Sequence, residues 1–101
     1  MGKSLIEKHS PEVWNAYLKQ VEETMRDGAL STKVKELIAL ALCIAVHCEP
    51  CVKIHTRRSI KAGATVEEIA DTLGVTLMMC GGPADVWTRK IFEEEIGKLK
   101  I

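Results

Sequence analysis

Fourteen lysines and arginines balance fourteen aspartates and glutamates across 101 residues, and no basic stripe interleaved with aromatics breaks the balance, so nucleic acid is not an expected partner. A chain that is 47% hydrophobic, with only 7 glycines and 3 prolines, reads as one compact domain over residues 1–101 with no linker, repeat or tail. No apolar signal region opens it and residue 6 is Ile rather than Ser or Thr, so neither export nor myristoylation is expected; in the cytoplasmic, reducing setting that follows, paired cysteines serve catalysis or metal binding rather than stapling a fold.

About five helices can be read from the punctuation. Ser10-Pro11 supplies an N-cap and a first-turn proline. Val13, Trp14, Tyr17, Leu18, Val21 and Met25 then keep an apolar stripe, and Gly28 reads as the C′ residue of a first helix over about 11–27. Ser31 or Thr32 starts the second, in which every residue from Leu37 to Val46 is apolar. That run is too short for a bilayer, which takes about 20 residues. A helix apolar on all sides must be buried on all sides, and so small a chain can hardly surround it alone. A homo-oligomer is therefore expected.

The third helix begins at Glu49-Pro50 and stops at Gly63, with Lys53, Arg57, Arg58 and Lys61 as its wet face. Thr65 and Glu68 form a capping box that opens a fourth helix through about Cys80. Gly81-Gly82-Pro83 ends it and restarts the fifth, with Val86, Trp87, Ile91 and Ile96 among its apolar positions. No stretch alternates like a strand, so the fold class is all-α, a compact bundle with antiparallel neighbours. Cys43, Met78, Met79 and Cys80 read as core. His9 and His47 carry no assigned role.

The chemistry concentrates at Cys48-Glu49-Pro50-Cys51, with His55 four residues on and Glu36 twelve residues back. At about 100° per helical residue, Cys48, Cys51 and His55 share one narrow face from which His47 is excluded. Pro50 in a first turn puts Cys48 at or just before a helix N-terminus, where unpaired amides and the positive end of the macrodipole favour a thiolate. Cys51 lies one turn in, with His55 beside it at i+4, so base assistance falls on the second thiol. Both arguments suit a dithiol that cycles to a disulfide. Glu36 meets His55 only if the chain reverses near His47 and the third helix packs antiparallel on the second; it then holds the imidazole tautomer.

Glu36, eleven intervening residues, Cys48-Glu49-Pro50-Cys51, three residues and His55 resemble the E-x11-C-x2-C-x3-H signature of the alkylhydroperoxidase D-like branch of the carboxymuconolactone decarboxylase family. The match is sharpest over residues 31–63, and Ala62-Gly63-Ala64 and the small residues at 81–84 look like the rest of that domain. The resemblance implies an all-helical fold that assembles as trimers or hexamers, and reduction of peroxides or disulfides by the cysteine pair without a cofactor. It implies that Cys51 becomes the sulfenic acid, that Cys48 donates a proton and closes the disulfide, and that His55 and Glu36 relay protons. The longer family members carry a histidine between the cysteines where Pro50 stands, and a further helical half. A general thiol–disulfide oxidoreductase, fed by a thiol or lipoyl reductant, is the reading that remains. The family's decarboxylases lack the cysteine pair, so decarboxylation is not implied.

Two other readings use the same residues. Cys48, Cys51 and His55 with Glu36 or His47 are competent zinc ligands, although one helical face supplies only three and a CxxC zinc site draws a second pair from a distant segment. The chain also reads as an oligomeric helical module without turnover.

Overall fold

The computed structural model describes residues 3–97, and the regular structure among them is helical throughout. Six helices follow in order: α1 Leu5–His9, α2 Pro11–Met25, α3 Thr32–Ala45, α4 Glu49–Lys61, α5 Val66–Cys80 and α6 Gly82–Gly97. The sequence reading lacks α1. A single turn and a half carries no hydrophobic period; its signature is the Ser4 hydroxyl, which accepts the Glu7 amide hydrogen at 3.0 Å.

Helix α2 stops at Met25, short of the expected 27, and Gly28 is not its left-handed cap. Side chains from α3 satisfy its last carbonyls instead. Thr32 Oγ1 donates to the Met25 carbonyl at 2.7 Å, and Lys35 Nζ donates to those of Thr24 and Arg26 at 2.8 and 2.6 Å. In the bend between, the Asp27 carboxylate accepts the Thr32 amide hydrogen at 2.7 Å, which holds its pKa below the ordinary carboxylate value. The Thr65–Glu68 capping box opens α5 as expected, with both reciprocal bonds formed, at 3.1 and 2.9 Å.

The core collects Leu40 and Ile44 from α3, Val52 from α4, Ile69 from α5, and Ala84, Ile91 and Phe92 from α6. The buried hydroxyls of Thr56, Ser59, Thr76 and Thr88 donate to carbonyls in the preceding turn of their own helices, so none goes unpaired. Within one chain the run Leu37–Val46 is buried on one face only: Ile38, Leu42 and Val46 are 44, 60 and 74% exposed on the other, the side that so small a chain is not expected to cover by itself. Two other expectations change. Met78, Met79 and Cys80 are not core, because the last turns of α5 point them outward, the two methionines at 75% exposure each. Arg57 does not belong to a merely wet face: it crosses to α6, where Nε and Nη2 grip the buried Glu95 carboxylate at 2.7 and 2.9 Å. That carboxylate raises the Arg57 pKa, first through the hydrogen bond and then through its charge.

Candidate active site

The site is built on the reversal between α3 and α4. Both helices end the same way, in a Schellman motif. At the end of α4, the Gly63 amide donates to the Ile60 carbonyl and that of Ala64 to Ser59, with Gly63 left-handed at φ 102°. At the end of α3, the amides of His47 and Cys48 donate to the carbonyls of Ile44 and Cys43, with His47 in the left-handed place at φ 57°. A histidine there meets a steric penalty that glycine escapes. Its ring lies flat on Trp87 of α6, centroids 4.0 Å apart and planes within 5°, which offsets that penalty and ties the turn to the bundle. Sequence reasoning offers His47 only as a spare zinc ligand and misses this turn role; the one signal available is its place just after an apolar helical run.

Cys48 thus closes α3 and caps α4 at once. Its backbone is extended (φ −105°, ψ 95°), and its carbonyl accepts the Val52 amide hydrogen at 3.0 Å. Because Cys48 lies outside the helix, the 100° rule does not place its side chain, and the shared-face argument is corrected accordingly. The extended cap turns the thiol back over the first turn of α4. There Cys51 is its disulfide partner, with Cα atoms 5.3 Å apart. Pro50 sits in that same turn, where its missing N–H leaves no gap in the ladder.

Antiparallel packing of α3 and α4 brings Glu36 to His55. The Glu36 Oε1 and His55 Nδ1 are 2.7 Å apart, the glutamate 5% exposed and the imidazole partly open. Facing a carboxylate, Nδ1 is the nitrogen that carries the hydrogen, which leaves Nε2 free to take a proton. His55 follows Cys51 by one turn, within side-chain reach. The four residues read from the sequence therefore form two contacting pairs, Glu36–His55 and Cys48–Cys51, with one turn of α4 between His55 and Cys51.

The other two cysteines are outside the bridge. Burial, and then the nearby Glu36 charge, pushes the Cys43 thiol above its ordinary pKa, so it is a poor nucleophile. Cys80 ends α5 on the exposed surface. Among the described residues no group of three or more His, Cys, Asp or Glu is arranged to hold a metal ion. No helix among them is long and apolar enough to cross a membrane.

The profile of the carboxymuconolactone decarboxylase family matches residues 11–94. An uncharacterised protein of Cupriavidus necator is 35% identical over 80 residues, 79% of this chain and 71% of its own. Another from Methanocaldococcus jannaschii is 30% identical over 79 residues, 78% of this chain and 74% of its own. Among solved structures, an apo carboxymuconolactone decarboxylase family protein from Legionella pneumophila aligns with a TM-score of 0.82 at 35% identity, over 91% of this chain and 82% of that one. A family protein from Thermotoga maritima, for which involvement in an antioxidative response has been suggested, aligns at 0.74 with 27% identity, over 85% of this chain and 91% of that one.

Proposed function

This chain belongs to the carboxymuconolactone decarboxylase family, and from that premise we propose that it is a thiol-dependent oxidoreductase of the alkylhydroperoxidase D-like kind, reducing hydroperoxides or disulfides through Cys48 and Cys51. The observation that carries this reading is the Glu36–His55 hydrogen bond one helical turn from the cysteine pair. A surface histidine has no need of a buried carboxylate. A histidine that must receive a thiol proton on one nitrogen gains a fixed tautomer and orientation from it. The antioxidative role suggested for the Thermotoga maritima relative agrees.

In the proposed cycle the Cys51 proton passes to His55 Nε2, and the thiolate attacks one oxygen of the hydroperoxide. The O–O bond breaks, Cys51 becomes a sulfenic acid, and the departing alkoxide takes the proton from His55 to leave as an alcohol. Cys48 sulfur then attacks the Cys51 sulfur; hydroxide leaves and, with the Cys48 proton, forms water as the disulfide closes. An external dithiol, a thiol or lipoyl group of a second protein, restores the pair by exchange and is itself oxidised to a disulfide.

Trapping decides the assignment. Reduced Cys48→Ser, exposed to cumene hydroperoxide with dimedone, is expected to accumulate the label on Cys51, while Cys51→Ser takes none at position 48. Label on Cys48 alone would exchange the two roles. No label in either variant, with the parent's thiols also untouched, would remove the redox reading.

A further inference from the structure

His55 also lines a cleft of ≈ 240 Å³ between α2 and α4. The α2 wall carries Tyr17, Val21 and Met25, an apolar stripe at i, i+4 and i+8, and Arg58 of α4 lines the same space. Arg58 differs from its neighbour Arg57, which Glu95 engages: among the described residues no carboxylate pairs with Arg58. Cys51, His55 and Arg58 fall within about 60° of one another around α4, and seven residues of rise put Arg58 about 10 Å along the axis from Cys51. The order along this stripe is thiol, proton carrier, open cleft, cation.

We propose that this cleft holds the tail of an aliphatic hydroperoxide that ends in a carboxylate. The carboxylate lies on Arg58, the hydrocarbon lies against Tyr17, Val21 and Met25, and the O–O bond reaches Cys51 about 10 Å away. This rests on the redox reading above and names the substrate class for it. The guanidinium matches a carboxylate through two parallel bonds, and the Tyr17, Val21 and Met25 wall beside it suits hydrocarbon, with Gln20 and Thr24 as neutral polar neighbours. A cleft of ≈ 240 Å³ suits one medium-length chain rather than a paired lipid tail or a peptide.

Octanoate, which cannot be reduced, probes the site without turnover. In a two-dimensional NMR titration of the oxidised, full-length protein, octanoate is expected to bind saturably and shift the Val21, Met25 and His55 resonances. Octanol, equal in length but uncharged, and acetate, charged but short, are expected to bind at least tenfold more weakly. Arg58→Gln should weaken octanoate at least tenfold; Lys61→Gln, which removes the same charge from the same helix outside the cleft, should leave it unchanged. Equal binding of octanol, equal loss in both variants, shifts mapping elsewhere, or no saturable binding would each overturn the proposal. Octanoate binding as described in a protein whose thiols ignore every hydroperoxide would retain the carboxylate site and remove the redox reading, so the two failures are distinct.

Discussion

At the scale of single residues, the histidine and its carboxylate divide the work. With the 2.7 Å contact to Glu36 fixing the Nδ1 hydrogen, His55→Ala is expected to slow thiol oxidation by hydroperoxide about 10²–10⁴-fold, the usual span of general acid–base catalysis. Glu36→Gln keeps the volume in a buried position and removes the charge. It should slow the same step by less and leave the far-UV circular dichroism unchanged. Stopped-flow rates across pH check both; parent-like rates for His55→Ala would contradict the relay. These two residues, with Cys48 and Cys51, were legible in the sequence because the motif is local or fixed by one chain reversal. Arg57 was not. Its partner Glu95 lies 38 positions away on another helix, and no spacing rule reports a contact made by tertiary packing. Met78, Met79 and Cys80 misled for the opposite reason: an apolar side chain near a helix end carries no record of whether the bundle reaches that far.

At the scale of elements, the turn and the caps carry separate loads. His47→Ala keeps a left-handed non-glycine and loses the Trp87 stacking, so it is expected to be about 1 kcal/mol less stable than His47→Gly, in which the steric penalty vanishes. Urea melts of the two variants measure the difference, and an alanine variant as stable as the glycine one would deny the penalty. The start of α5 supplies a pH effect. Glu68 is held below the ordinary carboxylate pKa, first by the Lys33 ammonium at 2.8 Å and then by the Thr65 amide. A folded-state pKa below the unfolded one gives stability that is present above about pH 4.3 and is lost as pH falls through the folded value. Glu68→Gln should therefore flatten the fall in Tm on the acid side; an unchanged slope would assign the loss to other groups. The capping box and the Pro50 start could be read in advance because each is a local code. The end of α2 could not, since Lys35 and Thr32 reach back to it from the next helix.

At the scale of the whole molecule, one face is unfinished. Val34, Ile38, Leu42 and Val46 recur every fourth residue on the outer side of α3, all exposed, and Val75, Met78 and Met79 add a second apolar patch on α5. The radius of gyration is 14.8 Å, against about 13 Å for a compact domain of this size. We propose that copies of this chain cover these faces, as a trimer or hexamer. Sedimentation at micromolar concentration is expected to give a trimer or larger, and Leu42→Glu to shift it toward monomer; a well-folded parent monomer would refute this. The redox pair faces a more direct trial. Fully reduced protein, mixed anaerobically with one equivalent of cumene hydroperoxide per chain, is followed by intact mass and peptide mapping. The expected result is loss of two thiols per chain, all of it as a Cys48–Cys51 bridge, with Cys43 and Cys80 still reduced and one equivalent of alcohol formed. Thiols that survive the peroxide, or a bridge that recruits Cys43 or Cys80, would contradict the proposed chemistry.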